Sequence, residues 1–254
     1  MKTNFNLVVV TDYEAMSKAA ADIIAAQIIK KPDSVLGLAT GSTPVGTYRQ
    51  LVEMHGAGKL DFSKITSFNL DEYHPISRNN DQSYNYFMQI NLFDHVNANP
   101  ENVHLPDGEC ADVNAECAGY EAKINGVGLD LQLLGLGHNG HIGFNEPSDS
   151  FAKITHYTPL TQSTIIANSP YFSNPDDMPR HAITMGIGTI FQAKHILMLV
   201  SGAAKADIVA RVFQGDITPQ VPGSILQLHP NITLIADKQA AEKLSFTKNN
   251  SITK

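Results

Sequence analysis

The chain has no tryptophan and only two cysteines among its 254 residues. Cys110 and Cys117 stand seven positions apart in a stretch with a helical pattern, and seven residues of helix span about 10 Å. A disulfide needs Cα atoms within about 7 Å, so we expect two free thiols. Free thiols are typical of a reducing, cytoplasmic compartment.

Positive charge and long apolar runs are also scarce. The chain has 18 Lys and Arg against 25 Asp and Glu, a net charge of −7, and its nearest approach to a basic cluster is Lys30-Lys31. Because nucleic acids are held by clustered Lys and Arg, we expect no nucleic-acid partner. No apolar run approaches the roughly 18 residues that span a bilayer, so we expect no membrane partner. The N-terminal run is too short for a signal peptide and predicts a first strand.

What is present is an ordinary globular composition, 43% hydrophobic and 17% charged, with short apolar runs that alternate with helix-length amphipathic stretches. This alternation predicts an α/β fold with a mostly parallel sheet and helices on both faces. We expect one domain over residues 1–244, with a Ser-, Thr-, Asn- and Pro-rich lid at about 148–185, and a polar tail at 245–254. The predicted strands are 6–10, 34–39, 65–70, 129–137, 195–200 and 232–236, and the predicted helices are 13–31, 43–58, 84–96, 111–124 and 203–215.

Polar clusters follow four of the predicted strands. Ligands of open parallel sheets bind beyond the carboxyl ends of the strands, so we expect these clusters to share one site. They are TGSTP (40–44), DEYH (71–74), HNGHIGFNEP (138–147) and SGAAK (201–205).

The first cluster has the features of an anion-binding turn. Gly41 permits close backbone approach, Ser42 and Thr43 offer hydroxyls and amides, and Pro44 suits the first turn of a helix, whose N-terminus attracts phosphate. Lys205 would supply the positive charge. The alternatives are an ordinary helix cap and a solvated surface lysine.

The second cluster places two carboxylates side by side. Consecutive residues of a strand point in opposite directions, so we expect only one of Asp71 and Glu72 to face the site. We expect His74 to be structural or exposed.

The stretch from 133 to 147, LLGLGHNGHIGFNEP, allows three interpretations. GLGHNG fits the dinucleotide template, which should lead straight into a helix, but the following residues open a helix poorly and Pro147 stops one. His138, His141 and Glu146 form a candidate metal set, although H-x-x-H on a loop lacks the helical spacing of zinc sites. The third interpretation is acid–base chemistry by a histidine that a carboxylate orients.

Five motifs together resemble a known family. They are GLATGSTPVGTYRQL, FNLDEY, GLGHNGHIGFNEP, HAITMGIGTI and SILQLHP, and over residues 1–240 they resemble, in order and spacing, the glucosamine-6-phosphate deaminase (glucosamine-6-phosphate isomerase) family, most closely its shorter bacterial members. The resemblance implies a Rossmann-like sheet and conversion of glucosamine 6-phosphate and water to fructose 6-phosphate and ammonia, in N-acetylglucosamine catabolism, without cofactor or metal.

The resemblance also implies roles for individual residues. Asp71 would move a proton from C2 to C1, His141 would open the pyranose ring with Glu146 in support, and Asn139 would orient the others. The residues that would hold the 6-phosphate are Gly41, Ser42, Thr43 and Lys205.

Two departures bear on affinity and regulation. Many family members carry a phosphate-gripping Arg in the lid, where this chain has Ile165. Longer, hexameric members are activated by N-acetylglucosamine 6-phosphate through basic residues, where this chain has His156 and Thr158. We therefore expect a monomer without such activation.

Three rival functions remain at this point. A 6-phosphogluconolactonase would carry Asp-Glu-Arg in place of DEY and Leu-Phe-Pro in place of NEP. A galactosamine-6-phosphate deaminase differs in one sugar stereocentre that no motif distinguishes. A sugar-phosphate-sensing domain of a transcription regulator needs a DNA-binding module, for which we expect no room before residue 6.

Overall fold

The computed structural model of the chain describes residues 5–245. Within them the strands are β1 (Asn6–Val10), β2 (Val35–Leu38), β3 (Thr66–Asn69), β4 (Asp71–His74), β5 (Val103–His104), β6 (Leu131–Leu134), β7 (His156–Pro159), β8 (His181–Thr184), β9 (Ile196–Val200) and β10 (Ile232–Asp237). The helices are α1 (Tyr13–Lys30), α2 (Val45–Gly56), α3 (Tyr84–Asn91), α4 (Val113–Val127), α5 (Gln162–Asn168), α6 (Ile187–Phe191) and α7 (Ala206–Gln214). Of the polar tail predicted at 245–254, all but Ser245 lies outside the described residues.

Seven strands form the central sheet in the order β1-β10-β9-β6-β2-β3-β5, and every pair is parallel. The chain runs outward from β2 to β3 and β5, then returns beside β2 with β6 and runs the other way to β9 and β10. The loops after β2 and β6 therefore leave a crevice between them, which is where an open α/β sheet binds its ligand.

This sheet confirms the predicted fold class and all six predicted strands. They are apolar without strict alternation because helices cover both faces; β9 and β10, for example, are buried at every position. Of the helices, α1 illustrates why the pattern succeeded. Asp12 caps its N-terminus by accepting the Ala15 N–H, and a buried stripe (Met16, Ala20, Ile24, Ile28) recurs every four residues.

A second, three-stranded sheet was not predicted. Its order is β4-β8-β7, with antiparallel pairing. The strand β4 is DEYH itself, which sequence reasoning treated as the end of the preceding strand, and β7 and β8 come from the predicted lid segment. Four-residue strands with polar residues carry little periodicity of their own; here each is specified by its partners in the fold.

The prediction of two free thiols was correct, but its premise that both cysteines lie in one helix was wrong. Both thiols are free, but Cys110 lies before α4 begins and only Cys117 is helical. Over residues 5–245, no helix is both long enough and apolar enough to cross a bilayer.

Candidate active site

A cavity of about 590 Å³ opens at the carboxyl end of the central sheet. Its volume lies within the range of small-molecule sites. The loops after β2, β6 and β9 contribute to its wall, together with β4 and the lid segment. Six of the eight predicted site residues line it: Gly41, Ser42, Thr43, Asp71, His141 and Lys205. The other two, Asn139 and Glu146, lie behind His141.

One end of the cavity is the turn at 41–43. Gly41 has φ +87°, a left-handed conformation that favours glycine. The hydroxyl of Tyr13 fixes the turn, because it accepts the N–H of Gly46 at 2.8 Å and donates to the carbonyl of Ser42 at 3.0 Å. The cap position of α2, Pro44, makes no side-chain capping hydrogen bond. The expected alternative of an ordinary side-chain cap is thus not realised; in the first turn of α2, Tyr13 takes the N–H of Gly46.

Lys205 provides the positive charge at the cavity wall. Its Nζ donates to the carbonyl of Leu136 at 2.6 Å, and burial lowers the pKa of the ammonium. The amine is therefore held within the site by a backbone acceptor, in contrast to a solvated surface lysine.

Asp71 is the first residue of β4 and is only 6% exposed. Burial raises the pKa of its carboxyl to about 8, and the charge of Glu72 adds to the effect. Glu72 points away from the cavity and accepts the backbone N–H groups of Tyr73, Tyr84 and Asn85. Burial raises the pKa of Glu72 as well, but these three donors oppose the rise. As predicted, the two carboxylates point in different directions: Asp71 lines the cavity, and Glu72 accepts backbone hydrogen bonds at the start of α3.

His141 stands beside a carboxylate. Its Nδ1 lies 3.2 Å from Glu146 Oε1, an ion-pair distance. Asn139 joins the two residues, since its Nδ2 donates to Glu146 Oε2 at 2.6 Å and its Oδ1 accepts the backbone N–H of His141 at 3.2 Å. The imidazole packs so closely on Gly137 that a Cβ there would lie 2.2 Å from Nε2.

Glu146 has two further partners that the sequence did not reveal. The hydroxyl of Thr164 donates to its Oε1 at 2.8 Å, and the hydroxyl of Thr161 lies 3.3 Å from the same oxygen. Burial raises the pKa of Glu146, but the contacts with His141, Asn139 and Thr164 outweigh it and lower the pKa to about 2. The carboxylate is therefore charged at any physiological pH.

The lid segment lines the cavity with Thr164, Asn168, Tyr171 and Phe172. Phe172 also joins a second apolar cluster with Tyr73, Phe144 and others. Ile165, the position expected to carry a phosphate-gripping Arg in many relatives, packs against this cluster and does not line the cavity. No sequence pattern marked the aromatic residues as part of the site.

The other interpretations of 133–147 can be compared with the geometry. The dinucleotide interpretation is wrong, because a loop follows Gly140 where that template requires a helix. His138 lines the cavity with its ring 5.9 Å from that of His141; within residues 5–245 no group of three His, Cys, Asp or Glu is arranged to hold a metal ion. His74 lies outside the cavity, with its Nε2 3.1 Å from the carbonyl of Cys110.

The fold and site define an open α/β protein whose cavity, at the switch point of its sheet, holds a buried carboxyl, a histidine beside a carboxylate and a lysine close to a glycine turn. The chain belongs to the glucosamine-6-phosphate isomerase/6-phosphogluconolactonase family, whose model matches residues 11–234. This confirms the resemblance seen in the motifs.

Relatives and solved structures distinguish the branches of this family. The glucosamine-6-phosphate deaminase of Clostridioides difficile (strain 630) is 56% identical over 94% of this chain and 96% of its own. That of Lachnoclostridium phytofermentans is 54% identical over 89% and 96%. A solved monomeric glucosamine-6-phosphate deaminase superposes with a TM-score of 0.91 at 44% identity, over 94% of this chain and all of the other. The 6-phosphogluconolactonase of Thermotoga maritima shares the fold alone, at TM-score 0.73 and 19% identity.

Proposed function

We propose that this protein is a glucosamine-6-phosphate deaminase, which converts glucosamine 6-phosphate and water to fructose 6-phosphate and ammonia. The observation that carries the proposal is that Asp71, the His141–Glu146 pair, the 41–43 turn and Lys205 meet around one cavity. An aldose–ketose rearrangement needs one carboxylate at adjacent carbons, a second acid–base group at the ring oxygen, and an anchor that fixes the reacting end through remote binding. The deaminases among the relatives support it over a lactonase.

The phosphate is the first group to be placed. The amides of the turn that contains Ser42 and Thr43, the N-terminus of α2 and the Lys205 ammonium would bind it, and Tyr13 holds that turn in shape. Because Ile165 supplies no charge, Lys205 and the backbone carry this contact.

Ring opening follows at the other end of the substrate. His141 accepts the proton of the C1 hydroxyl as the C1–O5 bond breaks, and the imidazolium delivers that proton to O5, which becomes the C5 hydroxyl. Glu146, which is charged, stabilises the imidazolium that forms. Asn139 cannot titrate, so its contribution is to hold Glu146 and the backbone of His141.

Asp71 then transfers a proton between carbons. Its carboxylate removes the C2 proton of the open aldehyde as O1 takes up a proton, which gives an enediol-type intermediate with nitrogen on C2. Asp71 then delivers its proton to C1 while the nitrogen gives up one proton, which replaces the one that O1 gained. The resulting imine at C2 adds water and releases ammonia, which leaves the ketone of fructose 6-phosphate. A base with a raised pKa is suited to a weakly acidic carbon.

Further parts of the proposal concern what the enzyme needs and where it works. We propose that it acts without cofactor or metal, in the cytoplasm, as a monomer that N-acetylglucosamine 6-phosphate does not activate. The monomeric relative of known structure supports the oligomeric state. His156 and Thr158, in place of basic residues, support the lack of activation.

Ammonia release from the gluco and galacto amino-sugar phosphates tests the function. We expect turnover of the gluco substrate, greater than that of its epimer, with and without a chelator. No release from either sugar would refute the function, a preference for the galacto epimer would make the protein a galactosamine-6-phosphate deaminase, and loss of activity on chelation would require a metal. Sigmoidal kinetics relieved by the acetylated sugar phosphate, or a hexamer by light scattering, would refute the regulatory part.

A further inference from the structure

The carboxylate behind His141 is held by a hydrogen-bond chain from the lid helix. Thr164 lies on α5 and is buried, and its hydroxyl has one proton to donate, which goes to Glu146 Oε1 at 2.8 Å. Thr161, which caps α5, has its hydroxyl 3.0 Å from Thr164 Oγ1 and 3.3 Å from Glu146 Oε1. A chain of this kind polarises its members, so each bond strengthens the next.

The two oxygens of Glu146 have different partners. Oε2 accepts from Asn139, which lies on the same loop as His141. Oε1 is the oxygen that faces His141 Nδ1, and it accepts the hydroxyl proton of Thr164, which lies on α5. The loop therefore positions Oε2 through Asn139, and α5 positions Oε1, the oxygen nearest the imidazole, through Thr164.

The same helix reaches the ligand cavity. Thr164 and Asn168, one turn apart, both line it. Glu146 and Thr161 also line a second cavity of about 250 Å³. The Glu146–Thr161–Thr164 cluster thus contributes to both cavities, and its hydrogen bond joins α5 to the carboxylate.

We propose that Thr164 is a positioning residue for ring opening: it holds Glu146 Oε1 against His141 when α5 lies over the cavity, so that the lid completes the acid–base pair. The proposal rests on the proposed function, because ring opening is the step that His141 performs there. A positioning role differs from a packing role in its effect on the reaction: replacing a positioning residue slows ring opening, whereas replacing a packing residue would affect all steps alike.

The test compares three variants of the full chain. Thr164→Val keeps the shape and removes the hydroxyl, Thr164→Ser keeps the hydroxyl, and Ser163→Ala removes a neighbouring hydroxyl that contacts Thr161 and not Glu146. A hydrogen bond to a charged group contributes enough that its loss lowers kcat about 10- to 100-fold. We expect this loss in Thr164→Val, near wild-type kcat in Thr164→Ser, and no change in Ser163→Ala.

Two readouts separate positioning from packing. The first readout is the isotope effect on kcat with substrate deuterated at C2. If it is above one in the wild type, it should fall towards one in Thr164→Val, because ring opening then limits the rate in place of proton removal by Asp71. The open-chain inhibitor 2-amino-2-deoxyglucitol 6-phosphate needs no ring opening, so its inhibition constant should stay within about twofold. If the wild-type isotope effect is already one, a fall in kcat without weaker inhibition supports the proposal.

Three results would overturn it: wild-type kcat in Thr164→Val, an equal loss in Thr164→Ser, or inhibition weakened in proportion to kcat. Thermal melts establish that each variant is folded, and Thr164→Ala takes the place of the valine variant if that one does not fold. Wild-type protein that releases no ammonia refutes the proposed function itself, whereas active wild type with any of these three results refutes only the role of Thr164.

Discussion

Replacing Asp71 by Asn should lower the activity of the protein strongly and raise its stability. The pKa of the buried carboxyl is about 8 in the folded chain against an ordinary value of 3.8. The folded state therefore keeps its proton to a higher pH than the unfolded state, and the stability that this proton contributes is full below about pH 4 and is lost as pH rises through 8. At about 1.4 kcal/mol per pH unit, the loss between 3.8 and pH 7 is on the order of 4 kcal/mol.

Asn removes that loss because it has no charge to bury. For a chain of this size 1 kcal/mol corresponds to about 2–4 °C in Tm, so we expect Tm at pH 7.5 to rise by about 8 °C or more. Near pH 4 the two proteins should melt together. In the ammonia assay the variant should lose about 10²- to 10⁴-fold in turnover, the usual contribution of a general base.

Asp130→Asn is the matched control. Asp130 is equally buried but lies before β6, at the amino end of the central sheet and away from the cavity. There burial is outweighed by hydrogen bonds from Lys194 and Lys31, which lower its pKa to about 2. This variant should lose stability at neutral pH and keep its turnover. A destabilised Asp71→Asn, or one with wild-type turnover, would show that the carboxyl is not the desolvated base described above.

Other predictions follow from the same site. Because Asp71 acts as a base only when deprotonated, kcat/KM should fall about tenfold per pH unit below a pH near 8; a flat profile down to pH 6 would contradict this. Lys205→Met should raise KM about 10- to 100-fold and weaken inhibition by inorganic phosphate, through loss of a charge-assisted hydrogen bond; unchanged phosphate inhibition would remove it from that role. Gly137→Ala places a Cβ 2.2 Å from His141 Nε2 and should lower kcat at least tenfold, whereas Gly119→Ala meets nothing and should not. Tyr13→Phe removes the hydroxyl that bonds the 41–43 turn, so it should raise KM several-fold and lower the free energy of unfolding by about 1 kcal/mol in denaturant titrations. An unchanged KM would show that the turn keeps its conformation without Tyr13.

The features of the site that could be predicted are those encoded by residues close together in the sequence. The anion turn, the DEYH pair and the loop 138–147 could be recognised because each is a local cluster that follows an apolar run. Their convergence could also be expected, because parallel strands place their carboxyl ends at one edge. The divergence of Asp71 and Glu72 likewise follows from the alternation of a strand.

Other features depend on contacts between distant parts of the chain. Thr164 reaches Glu146 across 18 residues, and Tyr13 reaches Gly46 across 33. A Thr in a polar segment and a Tyr at a helix start carry no pattern that names such a partner. The antiparallel sheet has the same origin, since β4 and β8 specify each other by pairing.

The amino-acid sequence alone determined the order of strands and helices, the polar groups at each strand end and the family to which the chain belongs, because hydrophobic periodicity and motif spacing are properties of neighbouring residues. The tertiary structure decided which strands adjoin, and so that the loops after β2 and β6 face each other across the crevice. It also decided the electrostatics: Asp71 and Glu146 are both carboxyls, yet burial without a donor raises the pKa of one to about 8, and hydroxyl and amide donors gathered from the lid and the loop lower that of the other to about 2.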